Sequence, residues 1–210
     1  VSVPAVITGC FADDDDNESS RNLTVFVFGH GVASGDPLAD AVILWTRVTP
    51  DESATADAEA EVGYTLATDA AMTDVVASGT VYTDASRDYT VKVDVTGLSA
   101  GTSYYYQFSG KDGESSTVGK TKTLPEGSVS SVKLAVCSCA NFPAGLFNVY
   151  QEIADSDADA VVHLGDYLYE YGTNEYPTED AEGREPEPSV EITTLAQYRQ
   201  RYAQYHVDAN

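Results

Sequence analysis

"KLAVCSCANFPAGLFNVYQEIADSDADAVVHLGDYLYEYG", Lys133 to Gly172, decides the fold. It opens on "VKLAVCS", a continuous apolar run of strand length, which predicts a strand buried on both faces. "LFNVYQEIADS" follows, with Leu146, Val149, Tyr150, Ile153 and Ala154 at the i, i+3, i+4, i+7, i+8 spacing of an amphipathic helix. "DAVVHLG" then reads as a second buried strand. Strand, helix and strand in so short a space imply a parallel βαβ unit with a right-handed crossover.

In parallel α/β sheets, ligands gather beyond the carboxyl ends of the strands. Here the first strand ends in "CSCAN", Cys137 to Asn141, and the second in "GDYLYE", Gly165 to Glu170. Neighbouring strands lie about 4.8 Å apart, so residues at equivalent ends can reach one ion. Asp166 and Tyr169 are three apart, and a single turn brings carboxylate and phenol together. With Cys139 they make a candidate metal-binding set of thiolate, carboxylate and phenolate. Magnesium or calcium alone does not select a thiolate, and zinc usually recruits His or more Cys. A phenolate suits a trivalent ion such as ferric iron, and a carboxylate can bridge to a second metal, as in two-metal phosphoryl chemistry. Each residue also has a plainer reading: Asp166 as a turn cap, Tyr169 as a core tyrosine, Cys139 as an inert buried thiol. Gly165 permits the tight exit from the strand. Cys137, Tyr167 and Tyr171 read as packing, and His163 as a satisfied core histidine. A Cys137–Cys139 disulfide is possible but strained, since such Cα atoms on a strand stand about 6.6 Å apart.

Upstream the period changes. From about Leu23 to Thr123 the chain reads as short strands. "YTVKVDV" alternates cleanly, with Tyr89, Val91, Val93 and Val95 facing one way, the mark of a half-buried antiparallel strand. Asp40–Val48, Glu61–Thr68, Val75–Thr83 and Ser103–Phe108 are further strand candidates, separated by turns such as "SGDP" and "GKDGESS". A β-sandwich accommodates them most economically. "LSAGTSY", Leu98 to Tyr104, has the spacing of the tyrosine corner of immunoglobulin-like and fibronectin type III sandwiches, which makes Tyr104 structural. The Pro/Gly/Ser-rich Thr123–Ser131 marks the boundary, giving a sandwich over residues 23–124 and an α/β unit over 132–210.

Of the 210 residues, 34 are acidic and 11 basic, for a net charge of −23. Such a surface repels polyanions, which argues against nucleic acid as a partner. It favours solubility and concentrates cations near any carboxylate-lined cleft. No apolar run of about 18 residues is present to span a membrane. Residues 1–22 begin with Val1 rather than Met. "VITGC", Val6 to Cys10, resembles the end of a bacterial lipoprotein signal, with Cys10 the residue that would be lipidated. "DDDDNESS", Asp13 to Ser20, is too charged to pack and reads as a tether. Export follows as an expectation, with membrane contact only through a lipid at Cys10; an unlipidated N-terminus is the alternative.

Beyond the βαβ unit, Thr173 to Ile192 reads as a long Glu/Pro-rich loop, either a flap over the strand ends or a disordered insert. "TTLAQYRQRYAQYH" then predicts a helix with Thr193 or Thr194 as N-cap and Leu195, Tyr198, Tyr202 and Tyr205 on one packing stripe.

Three segments together resemble the alkaline phosphatase D family of PhoD-like metallophosphatases. "FGHGVASGDPLADAVILWTRVTP", Phe28 to Pro50, resembles the opening of its N-terminal sandwich. Lys133–Gly172 resembles the start of its catalytic domain, and Pro186–Tyr205 the segment that follows. The resemblance implies extracytoplasmic hydrolysis of small phosphate mono- and diesters, with release of inorganic phosphate; the chain is expected to be a monomer. It implies a site of ferric iron with calcium, in which Cys139 and Tyr169 match iron ligands and Asp166 an acid shared between the metals. In-line attack would need no covalent Ser intermediate, and Asn141 could hydrogen-bond substrate. The family's remaining ligands lie beyond the position of Asn210, so this chain is expected to be a truncated, inactive piece that exposes sheet edge and core. The rival reading is a lipid-anchored, fibronectin-like adhesion module, which explains the tether and the sandwich but not the Cys, Asp and Tyr grouping.

Overall fold

A computed structural model describes residues 21–176 and 180–210. Cys10 and the acidic run after it lie outside the described residues. The first half is β1 (Phe26–Val27), β2 (Val32–Gly35), β3 (Ala41–Arg47), β4 (Thr49–Pro50) and β5 (Glu59–Ala67), then β6 (Val75–Asp84), β7 (Thr90–Thr96), β8 (Ser103–Gly110) and β9 (Gly119–Lys122). A three-stranded sheet ordered β2-β3-β7 packs on a four-stranded sheet ordered β6-β5-β8-β9, and β1 pairs with β4 beside them. All these pairings are antiparallel, so the sandwich expected from the alternation is present.

Between the sheets Val42 and Leu44 of β3 meet Val62 and Leu66 of β5, Val91, Val93 and Val95 of β7, and Tyr104, Tyr106 and Phe108 of β8. Each such side chain contributes about 1.5–3 kcal/mol by leaving water. Lys92 and Asp94 point outward from β7, as its alternation predicts. Tyr89 is buried with the valines but lies in the turn before the strand, at φ 53°, and its hydroxyl donates to the Ala58 carbonyl. Tyr104 makes its expected corner: its hydroxyl accepts from the Ser99 amide at 2.9 Å.

The second half contains β10 (Leu134–Cys137), α1 (Asn148–Ala154), β11 (Ala160–His163) and α2 (Leu195–Tyr205). β10 and β11 are parallel and in register from Leu134↔Ala160 to Cys137↔His163. The expected burial of these strands is corrected: Leu134, Val136 and Val161 are each more than half exposed. Two strands and one short helix supply too few layers to cover an apolar sheet on both faces. Helix α1 is likewise shorter than its apolar spacing suggests. Leu146 and Val149 stand exposed, while Tyr150 packs with Phe147 against the small cluster of Ala140, Phe142, Phe147 and Tyr205.

On α2 the predicted stripe holds for Tyr202 and Tyr205, which pack, and is corrected for its first half. Leu195 and Tyr198 are exposed, and the buried pair is Arg201 and Tyr205, one helical turn apart. Thr194 caps the helix, accepting from the Gln197 amide while the Gln197 side chain reaches back to the Thr194 amide, a complete capping box. The helix also joins the two halves. Tyr202 and His206 pack on Trp45 of β3, with ring centroids 6.2 and 5.2 Å away, and Arg199 donates to the Ala85 and Ser86 carbonyls.

Candidate metal centre

Backbone pairing of β10 and β11 continues past both strands. The Leu164 amide donates to Cys137, Cys139 to the Gly165 carbonyl, and Ala140 to the Asp166 carbonyl. This stitching holds the "CSCAN" and "GDYLYE" loops side by side. It also bends them sharply: Cys139 and Asp166 sit in the left-handed region at φ 61° and 53°. Two non-glycine residues in that region, facing each other, are the kind of local strain that concentrates at functional sites. Gly165 between them has φ 126°, a conformation only glycine adopts readily, which is why the exit needs it.

The three sequence-predicted donors converge on one atom. Asp166 Oδ2 lies 3.5 Å from Cys139 Sγ and accepts the Tyr169 hydroxyl at 3.1 Å. Cys139 is an exposed free thiol rather than an inert buried one, and Cys137 is free as well, so the disulfide reading is set aside. Desolvation, then hydrogen bonds to Cys139 and Asp166 and the charge of Asp166, raise the Tyr169 phenol well above its ordinary value. The phenol therefore keeps its proton and donates it in a hydrogen bond to the carboxylate. Among the described residues no group of three or more His, Cys, Asp and Glu side chains gathers. The set is a thiol and a carboxylate completed by a phenol. Three donors of different softness meet on the exposed ends of two strands, a set whose chemistry fits a cation.

Asn141 follows the cysteine loop, half-buried, at the start of a 3-10 turn over Phe142–Ala144; its side chain makes no capping bond there. His163 is half-buried beneath the loops. The Gly165 amide donates to its Nδ1 at 3.3 Å, and its ring meets that of Tyr167 edge-on. Tyr167 packs as expected, stacking on Tyr202 with its hydroxyl 3.0 Å from His206 Nε2.

Sequence reasoning missed Arg201. It is 1% exposed, and its guanidinium donates to the carbonyls of Tyr169, Tyr171, Glu187 and Pro188. Beside it the Tyr205 hydroxyl accepts from the Tyr169 amide. Helix α2 therefore fixes the backbone that carries Tyr169. The only sequence signal was an Arg four residues before a Tyr within an otherwise polar helix. The loop read as a flap or insert packs here too, among the described residues: Thr173 donates to Ser189, Ile192 donates to Glu170, and Ile192 and Pro186 are buried.

A β-sandwich joined to a βαβ unit thus carries thiol, carboxyl and phenol groups together at adjacent strand ends. The chain belongs to the PhoD-like phosphatase family: residues 15–125 match its N-terminal domain and residues 134–210 the PhoD-like phosphatase domain itself. Among individual proteins, it is 42% identical to alkaline phosphatase D of Bacillus subtilis (strain 168) over 198 residues, 91% of this chain and 33% of that protein. A solved structure described as "Structure of PhoD" superimposes with a TM-score of 0.80 at 39% identity, covering 90% of this chain and 36% of the other. The chain thus spans about a third of the length of these relatives.

Proposed function

We propose that the chain carries the first part of the active site of an extracytoplasmic, metal-dependent phosphoric ester hydrolase acting on small mono- and diesters. The observation that carries this reading is the convergence of Cys139, Asp166 and Tyr169 on a single carboxylate oxygen at the ends of two parallel strands. Cys139 and Tyr169 would hold ferric iron, and Asp166 would reach both the iron and calcium. Such metals, when bound, supply positive charge to the oxygens of a phosphoryl group. The chain's own part is to position and to release protons. The paired loops fix the donors, Arg201 holds the Tyr169 backbone, and the Tyr169 and Cys139 protons leave when a cation binds. Asn141, on the same rim, would donate to a phosphate oxygen. Export, with a possible lipid at Cys10, belongs to the same proposal; the acidic surface and N-terminal segment support it. The test is phosphate release from mono- and diester substrates by the full-length protein. The reading expects release that stops with chelation and falls at least a hundredfold in Asp166→Asn. Release that survives both contradicts it.

A further inference from the structure

Three tyrosine rings stack beside the candidate centre. Tyr176 lies 5.5 Å from Tyr169 and 4.7 Å from Tyr171, centroid to centroid, with interplanar angles of 27° and 24°. Tyr169 and Tyr171 are 6.3 Å apart at 26°. The three rings form one compact cluster that includes a candidate metal donor and reaches solvent, with Tyr171 37% and Tyr176 42% exposed. Tyr89, Tyr104 and Tyr205 are instead buried with bonded hydroxyls, whereas Tyr171 and Tyr176 present ring surface to solvent.

The stack is also held in place. Arg201 donates to the Tyr171 carbonyl, the Gly172 amide donates to Glu175, and the Asn174 amide donates to Asp180. A pre-fixed aromatic surface binds a flat ring with little ordering cost. The nearby carboxylates of Glu175 and Asp180 disfavour a ring bearing negative charge.

We propose that Tyr171 and Tyr176 form a subsite for an uncharged planar aromatic group, aryl or nucleobase, esterified to the phosphate that the Cys139, Asp166 and Tyr169 centre would hold. The subsite rests on the hydrolase reading above. A phosphoryl group at the centre would bring its ester substituent beside the solvent-exposed rings of Tyr171 and Tyr176, where ring-on-ring contact selects flat substituents over aliphatic ones.

The test uses the full-length, metal-loaded protein and two non-hydrolysable probes, phenylphosphonate and methylphosphonate, with affinities measured by calorimetry. Phenylphosphonate is expected to bind the wild type more tightly, with an advantage that falls about five- to tenfold in Tyr176→Leu and Tyr171→Leu. Tyr176→Phe, which keeps the ring, should retain that advantage. Equal weakening of both probes in the Leu variants would show that the rings only support Tyr169 and would overturn the subsite. Equal wild-type affinity for the two probes overturns the subsite alone. A wild type that binds neither overturns the hydrolase reading and the subsite with it.

Discussion

Asp166 Oδ2 is the smallest unit on which the account turns, because thiol and phenol both reach it. These residues were legible from sequence because chemistry and spacing agreed: an acid and a phenol three apart, one strand–helix–strand step beyond a cysteine. What was not legible was that both strand ends take left-handed backbone, since Cys has no tendency to φ above zero and Asp adopts it only occasionally. A second residue-scale consequence concerns His30, 8% exposed. Arg47 Nη1 stands 3.0 Å from its Nε2, so that nitrogen accepts and the imidazole is neutral. Burial first, then the charges of Arg47 and His206, lower its pKa from 6.5 to about 4, against a smaller opposing pull from Asp88. The unfolded chain therefore takes up a proton that the folded one refuses between these values. This contribution is full above pH 6.5 and is lost as pH falls toward 4, on the order of 2 kcal/mol after allowing for solvent screening. Melting temperature measured from pH 7 to 4.5 should fall, and His30→Gln should flatten the profile.

At the scale of elements, helix α2 does more than its sequence pattern promised. Its tyrosine stripe packs at Tyr202 and Tyr205 but not at Leu195 and Tyr198, and the most buried position is the unpredicted Arg201, because the carbonyls of two neighbouring loops need a donor. Arg201→Met should strand those carbonyls and destabilise the fold by about 3 kcal/mol, read as a lower denaturation midpoint. Amide exchange should quicken first in residues 169–173. Thr194→Ala removes the cap and should cost about 1 kcal/mol by the same measurement. The strands of the βαβ unit illustrate the opposite lesson. Their apolar runs gave the element type and its parallel pairing correctly, but burial is set by neighbours, and β10 and β11 have none on their outer edges among the described residues.

For the whole molecule, the sandwich and the α/β unit meet through Trp45, Tyr202 and His206, which the sequence did not show because the contact pairs residues far apart in the chain. This contact ties the sandwich to the unit that bears the candidate centre, as an adhesion module with a decorative remainder would not require. The exposed Leu134, Val136, Val161 and Leu164 lead to a second whole-molecule expectation. The 210-residue chain alone should bind a hydrophobic dye and self-associate as concentration rises, and a protein of the relatives' full length should do neither. The central claim, that Cys139, Asp166 and Tyr169 together ligate a metal, is tested most directly by visible absorption of the full-length protein after loading with ferric iron. The account predicts a tyrosinate-to-iron charge-transfer band that disappears in Tyr169→Phe, with iron affinity at least tenfold weaker. An unchanged spectrum and unchanged iron content in that variant would contradict it.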